Sequence, residues 1–291
     1  MHLRPHHTAH GVILFLTAVF LFAVLDATAK YLTAFFAVPL LVWARYFVHL
    51  VFMLVAIAPG MGREIVVTQR PWLMTFRALM LVGVTLLVQL AFRTLPLAET
   101  TAIVFVTPLL VALLAGPLLG EKLQTRSWLA TITGFCGVLL IARPGGAMVG
   151  IGVVYAFGGA LCYAIYQILT RKLSASEPPL RQLFYTALVG TVAMSFVLPA
   201  YWSGEMPTLK QALLIASLGF YGGTGHFLLI RAFREAPASS LSPLLYVQLI
   251  WAMLLGWIVF GQLPDLPATL GMLIIGASGL SLVLHRPHSG Q

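Results

Sequence analysis

Long apolar stretches separated by short polar turns run along almost the whole chain. A helix rises about 1.5 Å per residue, so roughly 20 apolar residues cross a hydrocarbon core of about 30 Å. The stretches lack the two-residue alternation of a membrane barrel. The pattern therefore predicts an all-α membrane protein with ten transmembrane helices: Gly11–Phe36, Leu40–Ala58, Trp72–Leu95, Thr100–Gly120, Ser127–Ala142, Ala147–Thr170, Gln182–Gly204, Gln211–Ile230, Pro237–Phe260 and Leu266–Leu284.

Composition excludes an ordinary water-soluble domain. Of the 291 residues, 60% are hydrophobic and only 9% are charged, against about 25% charged in typical soluble domains. The two cysteines, Cys136 and Cys162, lie within apolar runs, so they indicate neither a disulfide framework nor a zinc site. The net charge of +9 comes from residues that stand singly between apolar runs, which is not a nucleic-acid patch. We expect a bilayer and a small molecule as partners, with no cofactor, metal or nucleic acid.

The distribution of basic residues predicts the orientation. With the N-terminus inside, eleven of the 17 Lys and Arg residues fall on the cytoplasmic side and four on the other. Cytoplasmic loops carry the excess of positive charge, so both termini are predicted to be cytoplasmic in a bacterial inner membrane. Residues 1–10 are predicted to form a disordered tail.

The chain carries an internal repeat. Ala91-Phe92-Arg93 followed by Pro96 recurs 141 residues later as Ala232-Phe233-Arg234 followed by Pro237. Two five-helix repeats, 11–143 and 150–286, are therefore predicted. Because five is odd, the second copy enters the membrane from the opposite side, which is the architecture of alternating-access transporters. Duplication also produces channels and membrane enzymes.

These halves carry features of a known family. Each half has a Pro-led fourth helix, which ends at Gly120-Glu121-Lys122 in the first copy and at Gly261-Gln262 in the second, and the final helix spaces glycines by three. Arg45 on the second helix also fits. The chain resembles the drug/metabolite transporter superfamily, in its ten-helix EamA-type branch. The resemblance implies export of small metabolites, foremost amino acids; a multidrug or cationic-compound exporter is the alternative.

Polar residues within the spans are the candidate substrate contacts, because polar groups in hydrocarbon are costly and face the bundle interior. Amides and phenols suit a zwitterionic or amphipathic solute, although each of them could instead bond across a helix interface. The candidates are Gln89, Thr107, Tyr163, Tyr166, Gln167, His226, Tyr246, Gln248 and Trp251.

Charged residues within the spans admit two interpretations. Asp26 could bind a substrate amine or a coupling proton, or it could pair with Lys30 at i+4. Arg45 and Arg77 lie near helix starts, where snorkelling to the interface is expected; binding of a carboxylate is the alternative. Pro108 in mid-helix removes a backbone hydrogen bond and is a candidate hinge.

Other functional classes leave less trace in the sequence. A membrane enzyme requires a catalytic constellation, and the chain has no HExxH motif, paired acidic motif, nucleophile elbow or Walker lysine. A passive channel requires a continuous polar stripe, whereas the polar residues cluster near mid-depth. Proton coupling and facilitated diffusion both remain open.

Overall fold

The fold is a bundle of long helices. A computed structural model describes residues 5–107, 109–111, 113–114, 125–142, 150–173, 176–202, 204, 206–235, 244 and 246–284. In these ranges the chain forms no strand, and each predicted span contains one principal helix, which confirms the all-α class with ten spans. The helices are α1 Pro5–Leu32, α2 Val38–Phe52, α3 Pro71–Phe92, α4 Leu97–Val104, α5 Thr125–Ala142, α6 Ile151–Leu173, α7 Pro179–Val197, α8 Leu209–Glu235, α9 Val247–Phe260 and α10 Leu266–Leu284.

Length and surface both suit a bilayer. Six segments of the described chain are long and apolar enough to cross a membrane, and four shorter apolar helices accompany them. Large apolar side chains cover the outside of the bundle, with Trp72 80% exposed and Phe196 83% exposed. Such a surface is unfavourable in water and favourable against lipid.

The N-terminal segment differs from the prediction. Helix α1 begins at Pro5, so the described part of the predicted tail is helical rather than disordered. Proline suits the first turn of a helix, because its fixed φ is helical and the missing N–H would have no partner there. His10 contacts Glu235 near the end of α8 at 2.6 Å, which holds this extension against the second half.

The helix contacts repeat when the two halves are exchanged. Helix α1 packs along α8, and correspondingly α6 packs along α3. The contact of α2 with α8 matches that of α7 with α3, and α1 with α9 matches α6 with α4. The pairs α2 with α7, α4 with α9 and α5 with α10 map onto themselves. This pattern is that of a pseudo-two-fold axis, and the odd number of helices per half makes the two copies inverted.

Glycines allow the closest helix approaches. A Cβ at Gly219 on α8 would lie 2.5 Å from the Cβ of Val48 on α2, and one at Gly225 would lie 2.6 Å from the ring of Phe22 on α1. Between α5 and α10, a Cβ at Gly137 would lie 2.8 Å from the carbonyl oxygen of Gly271. Small residues let backbones approach in a bilayer, where packing rather than water drives association.

At one end of the bundle, hydrogen bonds that we call the clasp join the two halves. The clasp joins the segment after α2 to the loop between α6 and α7. Thr68 donates to one carboxylate oxygen of Glu177, and Arg181 donates to the other at 2.7 Å. Arg181 also donates to the Glu64 carbonyl at 2.7 Å. Glu177 is only 3% exposed, so its charge is held by these contacts rather than by water.

The clasp changes the titration of its carboxyl group. Burial acts to raise the pKa of Glu177, but the hydrogen bonds from Thr68 and Arg181 and the charge of Arg181 outweigh it and leave the pKa below the ordinary 4.5. A carboxyl with a lowered pKa in the folded state stabilises the fold while it is ionised, and that contribution is lost as the pH falls through the folded-state pKa.

We expect Glu177→Gln to lower the unfolding temperature in detergent, because hydrogen bonds to a charged group contribute about 1.5–3 kcal/mol. Glu64→Gln is the matched control, since Glu64 is exposed and joins the clasp through its backbone carbonyl. Thermal melts at neutral pH should separate the two variants. The gap between wild type and Glu177→Gln should close as the pH drops below the carboxyl pKa. Equal melting of both variants at neutral pH would contradict a stabilising clasp.

Candidate functional site

A carboxylate lies where the two halves meet. Asp26 on α1 is partly exposed, and Gln248 on α9 donates to its Oδ2 oxygen at 3.2 Å. Both residues are predicted substrate contacts. They are 222 residues apart in the sequence and belong to different halves, so only the packing of α1 on α9 brings them together.

The expected pair of Asp26 with Lys30 does not form. The Lys30 ammonium instead donates to the carbonyl oxygens of Phe92 at 2.9 Å and Leu95 at 2.6 Å. These carbonyls lie at the end of α3, where backbone acceptors lack helical partners and the helix dipole favours a cation. Lys30 therefore holds α1 to α3, and Asp26 is left without it.

Arg45 enters the interior of the bundle rather than the interface. An added Cβ at Gly222 on α8 would lie 3.4 Å from its Nε atom. Its positive charge acts on Asp26 and on Tyr163 of α6. The snorkelling expected for Arg45 is wrong, because the missing side chain at Gly222 leaves room for the guanidinium between α2 and α8.

Arg77 is buried, at 2% exposure, and it makes four hydrogen bonds. Its guanidinium donates to the hydroxyls of Thr170 at 2.7 Å, Thr186 at 3.0 Å and Tyr166 at 2.7 Å. It also donates to the Gln182 carbonyl at 3.1 Å. Snorkelling is wrong here too: the residue joins α3 to α6 and α7 through four neutral oxygens.

Two tyrosines on α6 form a stacked pair. The rings of Tyr163 and Tyr166 are 5.8 Å apart with their planes 19° apart. The side chains of Gln167, one turn further along, and of Asp26 both lie near enough to act on the Tyr163 hydroxyl. The three predicted α6 residues therefore share one face, and Arg77 holds the Tyr166 hydroxyl in place.

Helix α8 adds an imidazole to the same region. His226 is partly exposed, and its ring lies 4.9 Å from that of Phe22. The charges of Arg45 and Arg77 both act on it. We call Asp26, Arg45, Tyr163, His226 and Gln248 the central cluster.

Other predicted contacts lie outside the central cluster. The Thr107 hydroxyl donates to the carbonyls of Val104 at 2.6 Å and Ala160 at 3.3 Å, so it serves helix packing. Trp251 packs edge-on against Phe20 at 4.9 Å. These two residues have partners that account for them without a solute.

Two more of the predicted substrate contacts have buried polar atoms without a hydrogen-bond partner. Gln89 on α3 is 2% exposed and neither atom of its amide has a hydrogen-bond partner. The Tyr246 ring lies 5.7 Å from that of Phe105, and its buried hydroxyl is likewise unpartnered. Pro108, the predicted hinge, lies outside the described residues, as do Gly120-Glu121-Lys122 and Pro237.

Sequence reasoning gave too little weight to the basic side of the site. Snorkelling was preferred to carboxylate binding for Arg45 and Arg77 because each stands within a few turns of a helix boundary. The sequence did contain a signal, namely the free-energy cost of a charge within an apolar span. Such a charge requires an interior partner or an accessible surface. Within the described part of the chain, no group of three or more His, Cys, Asp or Glu side chains could hold a metal ion.

Comparison with known proteins agrees with this architecture. A family model described as the EamA-like transporter family matches residues 9–143 and again residues 150–284. A riboflavin transporter of Vibrio cholerae is 27% identical over 93% of this chain and 91% of its own. An S-adenosylmethionine uptake transporter of Rickettsia bellii is 28% identical over 76% of both chains.

A solved structure shares the fold. A crystal structure covering 95% of this chain and 97% of its own matches with a TM-score of 0.65 at 18% identity. The family match covers both halves with the same model, which confirms the repeat that the recurring motif predicts. The chain therefore belongs to the EamA-like transporter family of the drug/metabolite transporter superfamily, and it is a multi-pass membrane protein that transports a small molecule.

Proposed function

We propose that the chain carries an amino acid, or a larger solute that bears an amino-acid group, by alternating access between its two halves. The observation that carries the proposal is the contact of Asp26 with Gln248. It places a partly exposed carboxylate between a helix of the first half and a helix of the second. A carboxylate there can bind the ammonium group of a solute, and the two halves can move about it.

The surroundings of Asp26 suit such a solute. Tyr163 is partly exposed and offers its ring to an apolar or cationic part. Tyr166 supports that ring from a buried position, where the Arg77 guanidinium lies 4.4 Å from the centre of the Tyr166 ring. The Gln248 amide can donate to a carboxylate or accept from an ammonium group. A relative named for S-adenosylmethionine uptake supports the proposal, because that compound is an amino acid with a positively charged sulfonium.

Direction and location are parts of the same proposal. We place the chain in a bacterial inner membrane with both termini in the cytoplasm and amino-acid export as its direction. Alternating access is reversible, so net export requires a higher cytoplasmic concentration of the solute or a coupled ion. One of the two relatives is named an uptake transporter, and the other name gives no direction. The direction of net transport therefore has to be measured.

We expect the reconstituted full chain to take up labelled methionine saturably, with counterflow, and S-adenosylmethionine to compete. Asp26→Asn should lower kcat/KM about tenfold or more, because it removes the charge that the ammonium group contacts. Asp265→Asn is the matched control: Asp265 is exposed and caps α10 at the Ala268 N–H, a role that Asn also fills.

Several outcomes would contradict this proposal. An Asp26→Asn variant with unchanged rate and pH dependence would remove Asp26 from the site. Non-saturating flux would indicate a channel. Transport of riboflavin or of a lipophilic cation, without transport of methionine, would favour a different substrate class.

We expect Arg77→Lys to raise the KM for methionine several-fold and to lower the unfolding temperature. Lysine has no planar fork, so the Tyr166 hydroxyl and the oxygens of α7 lose donors, at about 1–3 kcal/mol for each polar group left unsatisfied. Arg93→Lys, at an exposed residue that follows the opposite end of α3, controls for the substitution. A normal KM in a variant with a lowered melting temperature would show that Arg77 serves stability alone.

A further inference from the structure

The two interior arginines, Arg45 and Arg77, differ in how many hydrogen bonds they make. Arg77 donates four hydrogen bonds. Arg45, on the neighbouring helix, makes no hydrogen bond or ion pair with any residue that the structure describes, and its guanidinium carbon lies 5.9 Å from the centre of the Tyr46 ring. A guanidinium carries five N–H donors, and an inward-facing charge without partners is costly.

The fold nevertheless makes room for the Arg45 guanidinium. A Cβ at Gly222 would lie 3.4 Å from its Nε and 3.8 Å from its Nη2, and a Cβ at Gly219 would lie 2.9 Å from the Arg45 carbonyl. The two glycines therefore let α2 and α8 approach while the guanidinium passes between them. Arg45 remains partly exposed, so the surrounding protein does not fully enclose its side chain.

A second unpartnered group stands beside Arg45. His49 lies one turn further along α2, on the same face, and it is 5% exposed with no hydrogen-bond partner at Nε2. A Cβ at Gly223 would lie 3.2 Å from its Cδ2 and 3.7 Å from its Nε2. Arg45 and His49 thus border consecutive residues of α8, and the charge of Arg45 acts on the imidazole.

Asp26 lies in the same region as Arg45 but does not neutralise its charge through an ion pair. The charge of Arg45 acts on Asp26, yet the two side chains form no ion pair within 4 Å in the described structure. A carboxylate and a guanidinium that face the same region but remain apart match the two ends of a zwitterion. The charges of Arg45 and Arg77 both act on His226, so two guanidinium groups lie near the central cluster, whose one carboxyl side chain is Asp26.

We infer that Arg45, assisted by His49, is the binding site for the carboxylate group of the transported solute. The guanidinium fork matches a carboxylate in two parallel hydrogen bonds, and the imidazole N–H can add a third. The inference rests on the proposed function, since it takes the ammonium end of the same solute to be at Asp26. It adds that a solute without the anionic group is discriminated against at Arg45.

The test compares methionine with methioninamide, which keeps the ammonium group and the side chain but has no carboxylate. Inhibition constants for both compounds are measured against labelled methionine uptake, or against labelled methioninamide uptake where methionine is no longer transported. The full chain is reconstituted as wild type, Arg45→Gln and Arg63→Gln. Arg63 is exposed in the segment after α2, so its variant controls for the loss of one positive charge.

We expect the wild type to bind methionine at least about tenfold more tightly than methioninamide. Arg45→Gln should lose at least about tenfold in methionine affinity and change less than about twofold for methioninamide. Arg45→Lys should fall between, because lysine keeps the charge without the fork, and it supplies the same comparison if the Gln variant fails to fold. His49→Leu should show a smaller loss of the same kind.

Different failures separate this inference from the proposed function. A wild type that transports both compounds equally well would overturn the role of Arg45 and leave amine recognition at Asp26 intact. Arg45→Gln with unchanged methionine affinity, or with equal losses for both compounds, would also overturn it. If the wild type shows saturable transport of neither compound, the proposed function fails, and this inference fails with it.

Discussion

A charge inside hydrocarbon has to be compensated, and the interior of this bundle is organised by that constraint. Lys30 is compensated by two carbonyl oxygens at the end of α3, and Arg77 by four oxygens of α6 and α7. Each of these cations binds groups that its own helix cannot supply. Because an unpaired charge would cost several kcal/mol, such contacts hold particular helices together and define which neighbour each one has.

The central cluster follows a different rule. Asp26 has one amide partner at 3.2 Å, and Arg45 has no hydrogen-bonding partner among the described residues. Groups that must exchange one partner for another during transport cannot be tied into strong internal contacts, since such contacts would have to break in every cycle. The contrast between the well-bonded cations and the partly bonded groups of the central cluster is therefore what supports the proposed solute site.

The two halves share a backbone plan but differ in chemistry. The shift of 141 residues places Gln167 opposite Asp26 and Thr186 opposite Arg45. One half thus supplies both charges of the central cluster, and the other supplies a phenol, an imidazole and an amide. A symmetric scaffold allows both membrane faces to open in the same manner, whereas the asymmetric chemistry of the proposed site would give a solute one defined orientation.

Much of this architecture was available from the sequence. Continuous apolar runs predict helices because a backbone in lipid has to satisfy its hydrogen bonds within the helix. The recurring motif around Arg93 and Arg234 predicts two copies, and their odd helix number predicts inversion. The candidates Asp26, Tyr163 and Gln248 could be chosen because polar groups are rare within such runs, so a local property of the chain pointed to them.

Partners, by contrast, were decided only by the packing of the helices. The i+4 spacing of Asp26 and Lys30 indicated an ion pair, but the Lys30 ammonium donates instead to two backbone carbonyls at and just beyond the end of α3. Thr107 was predicted to contact the substrate, but its hydroxyl donates to the Ala160 carbonyl. Arg45 was expected to reach the interface, but the space left at Gly222 accommodates its guanidinium inside the bundle. The sequence determined which segments cross the bilayer and which groups are costly there, because both depend on local composition. Which of those groups are satisfied by protein and which remain available depends on residues distant in sequence, and only the tertiary structure brings them together.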